Sequence, residues 1–392
     1  MIPKRLGDFI KLTGGGTPSK DRAEFWNGKI PWASVKDMKS LCIDNTENFI
    51  TEAGVKNSAT NVIPANSLLI ATRMAVGRVA FNSVPMAINQ DLKAVTCTEE
   101  IDSKYLFYLL ESKEDYFNSI ASGATVKGIK IGDITELKIP LPPLPIQRKI
   151  AEVLDAADRI RQRNKEVLKK YDQLAQSVFL EMFGDPVKNE KGWEVKELGT
   201  LQSRKSQNGL YVPKDQYDNS GTMMIHMSDA FYGKVRFEKI KYVKISDSEI
   251  SKYSVDNQDI LVARRSLNYE GAAKPCLIPI GNKKLVYESS LIRVTPNQRF
   301  ITPLYLFFFL SNSRAKDWYV LKHVTRSTIS GINNKGLNSI EIVLPPIDLQ
   351  NQFATIIERI EQQKAQAQAE LEQSEALFGS LMQRAFRGEL NF

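Results

Sequence analysis

The chain contains two versions of itself. KIPLPPLPIQRKI (138–150) superposes on EIVLPPIDLQNQF (341–353), so that Pro142, Pro143 and Gln147 fall on Pro345, Pro346 and Gln350 at an offset of 203 residues. The same offset aligns Thr125, Gly128 and Ile129 with Thr328, Gly331 and Ile332, and Leu168, Leu174 and Phe183 with Leu371, Leu377 and Phe386. Upstream the match continues at smaller offsets, 200 for SKYLFYLLES over TPLYLFFFLSNS and 192 for SLLIATR over DILVARR, as expected when loops of the second copy gain residues. A repeat this long restricts the chain to two similar units rather than one large core.

Each copy has about 140 to 160 residues of mixed pattern followed by about 40 residues of helical periodicity. In the mixed parts, short apolar runs such as SLLIAT, LKAVTC, DILVA and SLIRVT are separated by Gly, Pro, Asn and Asp, which reads as strands and turns. One aromatic-rich helix per copy, KYLFYLLESKEDYFNSI and PLYLFFFLSNSRAKDWYVL, completes an α+β unit, with its rings assigned to the core. The prolines of LPPLP and LPPID terminate a strand and set the start of a helix.

From Ile146 the apolar positions run in steps of four and three through Ile150, Val153, Ala157, Ile160, Asn164, Val167, Tyr171, Leu174 and Val178, a coiled-coil seam with one polar residue to set register. The second helical region keeps Leu349, Phe353, Ile356 and Ile360 at its start and Leu377, Leu381 and Phe386 at its end. The expected core of the helix pair is therefore Ile150, Val153, Ile160, Val167 and Leu174 against Phe353, Ile356, Ile360, Leu377 and Leu381. Residues 146–183 carry eight basic and six acidic side chains and residues 347–391 four and seven, so the helices complement one another in charge. The order domain, helix, domain, helix predicts an antiparallel pair about 57 Å long, a domain at each end, and a pseudo-twofold axis between two similar halves.

Composition removes several classes of function. Three scattered cysteines and two distant histidines offer neither a disulfide scaffold nor a Cys/His zinc site. No apolar run reaches the roughly 18 residues of a membrane span, and the opening residues lack a signal-peptide pattern, so the expected location is cytoplasmic with no membrane partner. TGGGTPSK (13–20) departs from a phosphate-binding loop, with Ser19 before Lys20 and Pro18 interrupting the turn, and is read as a turn that lets the backbone approach another surface. Pro-Pro is followed by Leu144 and Ile347, not by the aromatic residue of a methyltransferase tetrapeptide. No nuclease-like or Ser/His/Asp cluster stands out, so the chain is expected not to be an enzyme.

The net charge of +8 suits a polyanion. Candidate DNA-binding side chains lie in or beside turns: Lys20, Arg22, Arg73, Arg78, Lys127 and Lys130 in the first copy, and Arg204, Lys205, Lys234, Arg236, Arg264, Arg265 and Arg326 in the second. Such residues bind phosphates or read guanine edges. Arg73 and Arg265 occupy equivalent positions just after a predicted strand.

The opening GGGTPSKDRAEFWNGKIPWASVKDM, the paired LPPLPIQRKI and LPPIDLQNQF, and the tandem layout together resemble the specificity subunit of type I restriction-modification systems over the whole chain. That resemblance implies target-recognition domains at 1–139 and 185–343, each reading one half of a split double-stranded DNA sequence. It also implies spacer helices at 140–184 and 344–392. The implied partners are two methyltransferase subunits using S-adenosylmethionine and restriction subunits using ATP and Mg, with no cofactor in this chain. The second domain opens with LQSRKSQNGLYVPKD in place of the GGTPS turn and lacks an IPW, so the two half-sites are expected to differ. The competing readings are a coiled-coil adaptor that binds no DNA and a methyltransferase with a divergent site.

Overall fold

The computed structural model describes residues 3–231, 233–281 and 284–390. Its contacts divide the chain into two compact units, 1–165 with 368–392, and 166–367. Each unit holds one mixed domain, the start of one long helix and the end of the other.

In the first unit a five-stranded sheet has the order Ile10–Gly14, Leu92–Cys97, Leu68–Ala71, Val79–Asn82, Cys42–Ile43. A four-stranded sheet has the order Asn48–Ile50, Trp26–Ala33, Met86–Ile88, Asn61–Ile63, with its middle pair parallel. The strand Leu68–Ala71 is buried along its length because both faces are covered. Its alternation divides the interior: Leu68 and Ile70 join the core under the aromatic helix, and Leu69 and Ala71 join the core under the second sheet.

The second unit repeats the plan. Gln202–Asn208, Leu291–Pro296, Ile260–Ala263 and Pro275–Leu277 form one sheet, and Tyr217–Asp218, Lys241–Val243, Thr222–Ile225 and Leu285–Tyr287 the other. Ile260 and Val262 face the aromatic helix while Leu261 faces the opposite core. The aromatic helices are Ser103–Glu111, capped by Asp102 through the amides of Lys104 and Tyr105, and Pro303–Ser311, capped by Thr302 with proline in the first turn.

The repeated LPP…Q motif is a hydrogen-bonded joint. Gln147 is fully buried at the start of the helix Leu144–Phe183; its Nε2 donates to Glu100 O (2.9 Å) and Pro142 O (2.8 Å), and its Oε1 accepts from the Asp102 amide (2.8 Å). Gln350, in the helix Ile347–Arg387, does the same with Phe300 O, Pro345 O and the Thr302 amide at 2.9, 2.9 and 2.8 Å. Tyr105 Oη donates to Pro140 O and Tyr305 Oη to Val343 O, again one pattern twice. One amide side chain thus ties the proline segment, the aromatic helix and the long helix together, and satisfies three backbone groups that burial would otherwise strand.

The long helices run antiparallel within each unit. In the first, Asn164 Nδ2 donates to Glu370 O and Ser374 Oγ (3.3 Å each), Lys165 pairs with Glu375 at 3.1 Å, and the Arg161 guanidinium lies 4.1 Å from the centre of the Phe378 ring. In the second, Lys364 pairs with Asp172, and Phe179 and Phe183 pack on Phe353 at 5.8 and 5.1 Å. Phe386 and Phe183 reach Tyr105 and Tyr305 respectively, so each domain is gripped by the far end of the helix that its partner copy begins.

The seam differs from the expected one. Ile150, Phe353 and Ile360 are buried and Val153, Val167 and Leu381 are half-buried. Ile160, Leu174, Ile356 and Leu377 are instead exposed at 52, 44, 37 and 51%. The buried partners are Leu154, Ala157, Ala175 and Phe179 on the first helix and Ile357, Ala367, Leu371, Phe378, Met382 and Ala385 on the second. One of the two heptad series in each helix is as expected; its companion is the series one residue farther along the chain. The first helix's true companion series includes Arg161, whose charge disguises it, although it packs over Phe378 and pairs with buried Asp158.

Candidate nucleic-acid interface

In the first domain two loops meet beyond the end of the central strand. Arg73 bridges to Gly128, which also bridges to Ser122; the Ile129 amide donates to Thr72 O (2.9 Å) and the Met74 amide to Lys127 O (3.3 Å). A Cβ on Gly128 would lie 3.0 Å from Arg73 Cγ and 3.1 Å from Thr72 O, so glycine permits the contact. The contact holds the Arg73 and Lys127 backbones together and leaves both side chains exposed. Asp91 stands 3.8 Å from Arg73 and anchors its guanidinium loosely. Lys130 follows at the cap of Ile131–Thr135.

The second domain builds the same junction. Arg265 pairs with Gly331 and Thr325 bridges to Gly331, while the Ile332 amide donates to Arg264 O (3.0 Å). A Cβ on Gly331 would lie 2.8 Å from Arg264 O. Arg264 Nη1 donates to Ser289 O (3.2 Å), and the Arg326 guanidinium stacks 4.2 Å from the centre of Tyr269, a ring fixed by its own hydroxyl donating to Leu321 O. Arg264, Arg265 and Arg326 are therefore gathered at one place, as are Arg73, Lys127 and Lys130.

The other expected residues lie elsewhere. Lys20 and Arg22 sit on the loop that leads into Trp26–Ala33, with Lys20 lining a cavity that Met74 also lines. Arg78 closes the 71–78 loop and donates to Met38 O. Arg204 pairs in register with Thr295, at the end of the sheet away from Ala263, which pairs with Leu291; Lys205 follows it. Lys234 forms an ion pair with Glu361 of the second long helix at 2.5 Å, and Arg236 lines a separate cavity with Lys234, Glu361 and Lys364, so these two face the helices rather than the Arg265 junction.

Sequence reasoning missed Trp26, Trp32, Lys36, Asn48 and Met74, which line the first-domain cavity with Lys20. The only signal was the Trp…IPW pattern, to which no role was attached. It also missed the counterpart of the GGG turn in the second domain. Gly15 and Gly209 make the same backbone crossing: a Cβ there would lie 2.0 Å from Ile88 O and 2.2 Å from Glu288 O, and the following amides, of Gly16 and Leu210, donate to Ile88 O and Tyr287 O. Ser34 and His226 likewise cap equivalent short helices, with their amides bonded to Asp37 and Asp229 Oδ2 at 2.8 Å. Partial burial raises the Tyr217 pKa, and its hydroxyl lies 2.9 Å from His226 Nε2. Among the described residues no group of three or more His, Cys, Asp and Glu side chains is placed to hold a metal. Among them, too, no helix is long and apolar enough to cross a membrane.

The family model described as type I restriction modification DNA specificity domain matches residues 2–170 and 190–373, once for each copy. The chain belongs to that family. Among curated relatives, the type I restriction enzyme MjaIX specificity subunit of Methanocaldococcus jannaschii is 24% identical over 99% of this chain and 93% of its own length. The EcoKI specificity subunit of Escherichia coli K12 is 27% identical over 92% and 82%. The EcoR124I/EcoR124II specificity subunit is 39% identical over 45% of each chain. The fold is shared with the crystal structure of the type I restriction-modification S subunit of M. genitalium, at TM-score 0.55 and 15% identity over 98% of this chain and 95% of that one. A structure of type I R-M complex assembly gives TM-score 0.57 and 18% identity over 99% and 98%. As a type I specificity subunit the chain is a DNA-recognition component, not a catalytic one.

Proposed function

We propose that this subunit reads a split, asymmetric duplex DNA sequence, with residues 1–139 taking one half and residues 185–343 the other. The observation that carries the reading is the recurrence of one loop junction, Arg73 on Gly128 and Arg265 on Gly331, in surroundings that differ. A common backbone frame presents an arginine in each domain, suited to bidentate recognition of guanine, while Asp91 and Lys127 around one and Arg264 and Arg326 around the other suit different neighbouring bases.

The segments 140–184 and 344–392 then act as the ruler between half-sites and the seat of two methyltransferase subunits. Each unit leaves large apolar side chains of both long helices in solvent, Ile160 with Leu377 in one and Leu174 and Leu180 with Ile356 in the other. The presence of such residues in both units supports one methyltransferase per unit. S-adenosylmethionine, and ATP and Mg for the restriction subunits, belong to those partners. The setting is cytoplasmic.

Replacing residues 1–138 by the corresponding domain of another specificity subunit tests the division of labour. Mapping the methylated sites of the reconstituted complex should show one half-site changed and the other kept; a change in both halves contradicts independent readers.

A further inference from the structure

The GGGTPS and Trp…IPW segments of the first domain build something the arginine junction does not use. Where the loop crosses the second sheet at Gly15, its carbonyls face two indoles: Trp32 Nε1 donates to Gly16 O and Trp26 Nε1 to Ser19 O, each at 3.0 Å. The rings meet edge to face, 5.3 Å between centroids at 83°. With both N–H groups engaged, they offer apolar, π-rich surface to a cavity of about 390 Å³, within the usual range of ligand sites.

Of the remaining polar lining, Ser34 is bonded to Asp37 and Asn89 to Asp91, while four side chains are unspent. The side chains of Lys20, Lys36, Asn27 and Asn48 have no hydrogen bond or ion pair among the described residues. Met74 stands at the rim, 65% exposed, with φ of 65°. A left-handed backbone is costly for a long side chain, and here it is held by the Met74 and Ala75 amides donating to Lys127 O and Arg73 O. The strained residue therefore sits between the arginine junction and the cavity.

Aromatic walls, two carboxamides able both to donate and to accept, and two ammonium groups are the complement of a planar heteroaromatic ring attached to an anion. On a surface that reads DNA, that ligand is a nucleotide. We propose that the Trp26–Trp32 pocket receives one base turned out of the bound duplex. The indoles lie against its ring, Asn48 and Asn27 meet its edge, Lys20 and Lys36 its flanking phosphates, and Met74 fills the gap in the stack. The inference rests on the reading of the first domain as a DNA binder.

Among its described residues the second domain has no indole pair at the equivalent place. Its equivalent strand, Thr222–Ile225, carries Met224 in the place of Trp32, and His226 in the place of Ser34 bonds to Tyr217 Oη and Met224 O at 2.9 and 3.0 Å. The indole pocket thus belongs to the first half-site.

The test uses the full chain and the duplex it selects from a random-sequence pool, with an abasic site placed at each position in turn. One position in the first half-site should tolerate base removal with affinity within about twofold of the intact duplex or tighter, because no unstacking is then needed. Trp26→Leu, and exposed Asn48→Ala as the milder variant, should weaken the intact duplex, Trp26→Leu by about tenfold or more, yet leave that abasic duplex bound as by the parent. Equal losses at every abasic position, or variants that weaken intact and abasic duplexes alike, overturn the proposal while the DNA reading stands. Quenching of tryptophan emission by free nucleoside monophosphates with no tolerated abasic position also overturns it, by assigning the pocket to a free ligand. A chain that selects no sequence from the pool removes both the reading and the pocket's role.

Discussion

At the residue scale, the arginines divide by what holds them. Arg73 and Arg265 are presented by glycine-permitted contacts at equivalent places, whereas Lys127 contributes charge from the adjoining loop. Arg73→Ala or Arg265→Ala should relax one base position in one half-site at a cost of about 1–3 kcal/mol. Lys127→Ala should weaken all sequences alike and lower the salt-dependence slope by about one unit. Competition binding against single-base variants at two salt concentrations separates the outcomes. The arginine pair was legible in the sequence because strand, turn and basic residue recur together. The pocket was not, since Lys20, Trp26, Trp32, Asn48 and Met74 come from separate segments that only the sheet register joins.

Glu111 makes a second residue-scale prediction. It ends an aromatic helix, and its Oε2 is buried without a partner among the described residues. Burial pushes its pKa up to about 7; Asp158 and Glu114 add to the rise and Arg161 opposes it. The folded state then holds a proton that the unfolded state has released between about pH 4.5 and 7, so stability contributed at low pH is lost as pH rises through that window. Glu111→Gln should match the parent near pH 4 and exceed it at pH 8 by about 1–3 kcal/mol, read by denaturant unfolding at both values. A difference independent of pH would contradict this.

At the scale of elements, the long helices show what a pattern reading can and cannot deliver. Their existence, extent and pairing follow from the four-and-three spacing, and Asn164 takes a polar place in the seam as the sequence suggested. The phase of the seam was half legible. Hydrophobicity favoured Val153, Ile160, Val167 and Leu174 over a series containing Arg161, yet Arg161 is 17% exposed and stacks on Phe378. Arg161→Ala should therefore destabilise the first unit by about 3 kcal/mol, leaving Asp158 a buried carboxylate without its cation. Ile160→Asn should cost the free chain under about 1 kcal/mol but impair assembly with the methyltransferase. Thermal unfolding and co-purification distinguish these effects, and the reverse ranking would restore the purely aliphatic seam. The LPP…Q joint, in contrast, was visible as a recurrence but not as a mechanism. Only the structure shows Gln147 and Gln350 bonding three backbone groups each.

At the scale of the molecule, the repeat determines the argument. Both domains share the order of four strands of one sheet and of three strands of the other, the same central buried strand and the same crossing at Gly15 and Gly209, although their opening segments share little sequence. Loop length and surface identity drifted because they face solvent or a ligand, while the glycines, caps and glutamines that satisfy buried backbone stayed in place. The reading as a ruler makes the distance between half-sites a property of the helices, held at each end by a glutamine joint. The direct measurement is binding of the full chain to duplexes in which the two selected half-sites are separated by spacers varied one base pair at a time. One spacer length should bind best, with steep loss when a single base pair is added or removed; affinity that is flat across the series would contradict a fixed ruler with a reader at each end.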